Sequence, residues 1–201
     1  YEGVDTQDFS VEVYTKNGKL IQRTEFSNNQ EFRSARLIKY NGQVLVETFD
    51  SKYEFYSALD GKPVFLPYQE KLTSLEEGII YASEAPYALQ QKTTGKKTKV
   101  SFINLETGKS WSIESANPVT ATMSRDGSLV AIADTFSSGE KISIQVFKAS
   151  GESVRNYNIP NKLEAINQMA FSNDLSRLVV EIQSSYYFPD TQTGVRVIDL
   201  A

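Results

Sequence analysis

An all-β chain assembled from repeated four-stranded antiparallel units is what this sequence predicts, and three observations predict it. Short runs rich in Val, Ile, Thr, Tyr and Phe alternate with Asn-Gly, Asp-Gly and Ser-Gly pairs, the pattern of hairpins closed by tight turns. Those turns recur at a nearly constant interval. No segment combines helical length with a clean helical period.

The stretch Met123 to Asp134, MSRDGSLVAIAD, shows the unit best, with two strands joined at Asp126-Gly127. After a polar excursion, a second hairpin runs from Lys141 to Ile159 and turns at Ser150-Gly151. Taken in order, hairpins are expected at Phe9 to Phe26 (turn Asn17-Gly18), Ser34 to Phe49 (Asn41-Gly42) and Tyr53 to Leu66 (Asp60-Gly61). They continue at Leu72 to Ser83 (Glu77-Gly78), Lys99 to Ile113 (Thr107-Gly108), Val119 to Ala133 and Ile142 to Ile159. Ile166 to Ile182 turns near Asn173-Asp174, and Val195 to Leu200 begins another strand.

One set of turns falls at Gly18, Gly61, Gly108 and Gly151, spaced by 43, 47 and 43 residues. The other falls at Gly42, Gly78, Gly127 and Asp174, spaced by 36, 49 and 47. Four strands in about 40–50 residues is the period of a β-propeller blade. Early strands of each unit are small or aliphatic, as in LVAIA (129–133), and suit burial between blades. Last strands are polar, as in SVRNYNI (153–159), which suits an exposed rim that must resist edge pairing. A β-sandwich is the competing fold, but it does not require units of equal length.

Blade segments are expected at about 1–27, 33–68, 72–114, 119–160 and 166–201, in a single propeller domain or propeller segment. The chain opens on a third-fourth strand pair and closes on a third strand. The expectation is therefore a partial propeller of about four to five blades or, preferably, part of a larger one completed by further sequence or another copy. With Tyr1 in place of Met, a processed product or a fragment is expected.

The segments MSRDGSLVAIAD (123–134) and FSNDLSRLVVEI (171–182) resemble the WD40-like repeat of TolB-type propellers, whose inner hairpin reads roughly F-S-P-D-G-x-x-I/L-A. Ser124, Asp126, Gly127, Leu129 and Ala131 match, as do Phe171, Ser172, Asp174, Leu178 and Val179; Arg125 and Asn173 replace the usual Pro, and Leu175 the Gly. The resemblance implies a superfamily-level fold that hosts peptidase accessory domains, lipoproteins, sensors and scaffolds. NLETGKSW (104–111) also resembles the T-G-x-x-W signature of quinoprotein-type propellers, but once only. A Trp packed between blades accounts better for Trp111.

Composition excludes several chemistries. The chain has 201 residues with no His and no Cys, so Ser-His-Asp and Cys-His mechanisms and disulfides are absent from it. No cofactor and no resident metal are expected, and no P-loop, dinucleotide or zinc motif is present. A formal charge of -4 argues against nucleic-acid binding, which needs a basic surface. The basic cluster Lys92, Lys96, Lys97 and Lys99 reads as a solvated loop or a contact for an acidic partner. No apolar run is long enough to span a bilayer. Absence of Cys fits an exported bacterial protein, so an extracytoplasmic location (secreted, periplasmic or cell-surface) is expected.

Long second-to-third connections are expected at Glu84 to Thr98, Asp134 to Glu140 and Gln183 to Gly194, all on one face. Aromatic knobs on them, Pro86 with Tyr87 and Tyr186, Tyr187, Phe188 with Pro189, joined by Phe136, are the candidate partner-binding residues. Glu31, Glu70, Glu114 and Glu164 precede first strands and read as solvated links or, if convergent, as a cation or glycan site. The favoured function is a non-enzymatic module that binds a protein or peptide as a sensor, scaffold or assembly component. A carboxylate-dependent glycan hydrolase and a structural subunit of an oligomer or filament are the alternatives.

Overall fold

A computed structural model describes residues 9–26, 34–49, 52–72, 78–134, 141–160, 164–184 and 194–200. Among the described residues seventeen strands form five sheets, and every neighbouring pair is antiparallel. The first sheet holds β1 (Phe9–Tyr14) and β2 (Leu20–Phe26). The second holds β3 (Ser34–Tyr40), β4 (Gln43–Phe49), β5 (Tyr53–Ser57) and β6 (Pro63–Val64). The third holds β7 (Ile79–Tyr81), β8 (Tyr87–Thr94), β9 (Lys97–Asn104) and β10 (Ser110–Ser115). The fourth holds β11 (Val119–Met123), β12 (Leu129–Asp134), β13 (Lys141–Lys148) and β14 (Ser153–Pro160). The fifth holds β15 (Glu164–Phe171), β16 (Arg177–Ser184) and β17 (Gly194–Asp199). Strands follow one another in chain order, and successive sheets lie face to face without closing a ring. This is the arrangement of propeller blades, as the repeat predicts.

The glycines of the third-to-fourth turns behave as their spacing requires. Gly18, Gly61, Gly108 and Gly151 all have positive φ and sit between the last two strands of their sheets. At Gly108 the requirement is double. Its φ is +68°, and a Cβ there would come within 2.6 Å of the Tyr68 ring. Gly127, at +69°, carries the Tyr87 ring at 2.2 Å from an added Cβ, so both conformation and close approach exclude a side chain.

Two expected elements differ. The first-to-second turn of the third sheet is not at Glu77-Gly78. It lies between Tyr81 and Tyr87, closed by the Ala82 amide donating to the Tyr87 carbonyl at 2.9 Å. Glu84 to Thr98 is not a long loop either, because β8 and β9 occupy most of it and turn at Gly95-Lys96. The polar run QQKTT hides a strand that is buried at its start, through Gln90, and exposed from Lys92 to Thr94.

Apolar faces between sheets form the core. Between the second and third lie Ile38, Leu45, Phe55, Leu66, Ala88 and Ile103; between the third and fourth, Leu89, Val100, Phe102, Val130 and Phe147. Between the fourth and fifth lie Ile142, Ile144, Ile166, Leu178 and Val180. Each such side chain contributes about 1.5–3 kcal/mol by leaving water. The contact of the first sheet is smaller, with Val11 resting against Val46, Ala58 and Tyr56.

Candidate functional site

The two ends of the sheets are used differently. At the tight-turn end, neighbouring sheets are laced by backbone hydrogen bonds, Asn41 to Ala82 (3.2 Å), Gly42 to Ser83 (2.7 Å) and Glu84 to Arg125 (2.9 Å), while Ala149 to Ser128 (2.9 Å) ties two turns of the fourth sheet to each other. The Arg125 guanidinium adds an ion pair to Glu84 at 3.2 Å. Within the turns themselves, Asp126 accepts from the Ser124 and Ser128 hydroxyls and from the Ser128 amide. Asp174 repeats this with Ser172 and Ser176, and the Ser172 hydroxyl, Ser176 amide and Ser176 hydroxyl hold its carboxyl down at about 2. Partial burial alone would raise the Asp126 carboxyl, but the same set of bonds keeps it below the ordinary value. Ser124, Asp126, Ser172 and Asp174, the residues that carry the resemblance, therefore build turns.

Pro86 and Tyr87 belong to this laced end. The Pro86 carbonyl accepts from the Leu105 amide at 2.8 Å. Tyr87 is half-buried, with its ring centroid 4.9 Å from that of Phe102 and its face on Gly127. They stand at the opposite end of the sheets from Asp134 and Ser184, where β12 and β16 end. The expectation that puts Pro86 and Tyr87 on a second-to-third connection is corrected accordingly. Phe136, Tyr186, Tyr187, Phe188 and Pro189 lie outside the described residues. Trp111 bridges blades, as its isolation suggests: its indole N–H donates to the Ala149 carbonyl at 3.0 Å, and its ring stacks on Phe102 with centroids 5.5 Å apart.

Of the expected carboxylates, the two whose side chains are described, Glu70 and Glu114, do not come together. Glu70 is exposed in the short helical turn Gln69–Lys71, and Glu114 is exposed on β10, the outermost strand of its sheet. Glu31 lies outside the described residues. Among the described residues, no group of three His, Cys, Asp or Glu could hold a metal ion. Glu114 and Asp134 do line one 320 Å³ cleft between the third and fourth sheets.

A buried carboxylate elsewhere is structural. Glu47 is 4% exposed on β4 and takes the Arg36 Nε at 2.6 Å and the Tyr81 hydroxyl. Arg36 also donates to the Ile79 carbonyl at 3.1 Å, so one cluster ties β3 and β4 to β7 of the next sheet. Burial, reinforced by the Glu47 charge, pushes the Tyr81 phenol well above its usual range.

Sequence reasoning only half saw a crevice of 390 Å³ on the third sheet. Gln90 and Lys92 on β8 pair in register with Ser101 and Lys99 on β9, and Ser101 pairs with Ser112 on β10, so all five project to one face. Lys71, Ile103, Ser110 and Trp111 complete the wall, and no described residue of β3–β6 lines it. The reason lies in β6, only two residues long. It opens on Pro63, which has no N–H for the ladder, and Pro67 follows soon after. The second sheet thus covers only part of its neighbour.

No protein-family model matches the chain, and no curated protein matches it by sequence. Solved structures do. Hydrazine synthase of Kuenenia stuttgartiensis is similar with a TM-score of 0.56 at 13% identity, over 96% of this chain and 57% of that one. A structure from a study of two prolyl endopeptidases is similar with a TM-score of 0.55 at 12% identity, over 82% of this chain and 28% of that one. The β-propeller domain of the Trilobed protease from Pyrococcus furiosus gives 0.49 at 16% identity, over 81% of this chain and 53% of that one. The chain thus spans roughly a quarter to somewhat over half of each of these chains. At these identities the likeness is one of fold: the chain is a β-propeller segment of four-stranded antiparallel blades.

Proposed function

We propose that this chain is a non-enzymatic propeller module that binds a protein or peptide, outside the bacterial cytoplasm, as a sensor, scaffold or assembly component. One observation carries the reading: at the tight-turn end the turns of the second, third and fourth sheets are engaged with one another by hydrogen bonds, which favours the opposite end for recognition. The six- and nine-residue segments 135–140 and 185–193 join strands whose ends lie there. They carry Phe136 and the run Tyr186, Tyr187, Phe188, Pro189, an aromatic-rich stretch of the type that anchors interfaces. Among the described residues no helix is long and apolar enough to cross a membrane.

The test is a comparative capture experiment. The chain and a Tyr186→Ala, Tyr187→Ala, Phe188→Ala variant are immobilised, retained proteins are identified, and each candidate is purified and titrated against both forms. Binding by the parent chain and loss in the variant is the expected result; equal binding removes the site. A second reading, glycan hydrolysis, draws only on the shared cleft of Glu114 and Asp134. Release of reducing sugar by the parent chain, abolished in both Glu114→Gln and Asp134→Asn, would put it first.

A further inference from the structure

We infer that the crevice on the third sheet is a binding site for a tetrahedral oxyanion, a phosphate or sulfate ester. Lys92 and Lys99 stand directly opposite one another on adjacent strands, in register and on one face. Two like charges in that position repel, and a sheet that only needed a wet surface would place opposite charges there. Neither lysine has an ion-pair partner among the described residues. Lys71 brings a third ammonium from a separate segment, fixed by donation to the Gly108 carbonyl and by its position 5.4 Å from the centre of the Tyr68 ring. Among the described residues, no carboxylate lines the crevice.

The rest of the wall is suited to the same ligand. Ser101, Ser110 and Ser112 offer hydroxyl donors, and the 390 Å³ volume holds a phosphate group with part of the molecule that carries it. The cations are all lysines. Arginine's planar fork is the matched partner for a carboxylate, whereas lysines act as point charges around an anion with several oxygens. The chain's overall charge of -4 confines this attraction to the crevice, so extended polyanions are not the expected ligands.

Trp111 is the only tryptophan and lies at the wall, which makes its fluorescence the natural reporter. The full chain is titrated with inorganic phosphate, pyrophosphate, sulfate and acetate at ionic strength held constant with chloride, and calorimetry repeats each titration. Saturable binding of phosphate or pyrophosphate is expected, with no matching response to acetate. Sulfate as strong as phosphate would point to sulfate esters as the source; phosphate well ahead of sulfate would point to phosphate esters. Lys92→Ser and Lys99→Ser should each weaken binding about tenfold, in line with loss of one hydrogen bond to a charged group. Both side chains are exposed, and unchanged circular dichroism and melting confirm that the variants fold. Should either fail to fold, Lys92→Gln and Lys99→Gln replace them. Flat titrations by both methods, acetate binding as tightly as phosphate, or binding indifferent to the lysine substitutions overturns the assignment.

Discussion

The third sheet presents two faces made from alternate residues of the same strands, and they have opposite fates. On the side toward the fourth sheet, Leu89, Val100 and Phe102 are buried and Trp111 stacks on Phe102 and, with centroids 5.5 Å apart, meets Phe147. On the side toward the second sheet, the apolar residues Ile79, Ala88 and Ile103 are sealed, but Gln90, Lys92, Lys99, Ser101 and Ser112 line an open crevice. Residues one position apart thus serve different ends, because a strand sends successive side chains to opposite faces. The difference comes from the neighbours. β14 of the fourth sheet runs eight residues, whereas β6 of the second runs two, so the face toward the second sheet is left open where its last strand stops short.

Four substitutions would break or sharpen this contrast. Phe102→Ala, on the covered face, should cost about 3–5 kcal/mol in denaturant unfolding, since the ring is 2% exposed and contacts aromatics on both sides. A loss below about 1 kcal/mol would mean that the ladder does not hold the third and fourth sheets together. Glu47→Ala should cost about 2–3 kcal/mol, less than breaking a fully buried pair because Arg36 is half exposed. Its effect tests whether the sealed part of the second-third boundary depends on this cluster. Gly127→Ala should cost about 1–2 kcal/mol from backbone conformation, plus whatever the Tyr87 ring loses by moving aside. A Tyr87→Ala background should recover only the second part. Lys92→Ser, on the open face, should leave stability unchanged or raise it by a few tenths of a kcal/mol as the repulsion with Lys99 disappears. A marked loss there would mean that the lysines are structural.

The fold was legible because its signal is local. Gly61, Gly108 and Gly151 mark turns that need positive φ whatever surrounds them, and the unbroken apolar run in LVAIAD reports a strand buried on both faces. Legibility failed at the third sheet for a physical reason. The turn 82–86 contains no glycine and ends on Pro86, while Gly78, which does have the right local chemistry, merely precedes β7. β8 was hidden because Gln90, Gln91 and Lys92 are a poor strand pattern until one knows that Gln91 donates to the Val119 carbonyl at 2.8 Å and that Lys92 faces a gap. The lysines were visible as a cluster in the sequence, but Lys71 could not be grouped with Lys92 and Lys99 from spacing alone. Tyr87 looked like a recognition anchor since nothing in the sequence announces that a glycine forty positions later lies beneath its ring.

By itself, then, the amino-acid order determined the blade: strand, turn and period are set by steric limits on φ and by which side chains tolerate burial, and these act within a few residues. Only the tertiary structure decided which faces are covered and which stay open. That depends on how far each sheet extends over the next, a property shared between segments such as 63–72 and 90–112 that are distant in the chain and meet only once folded.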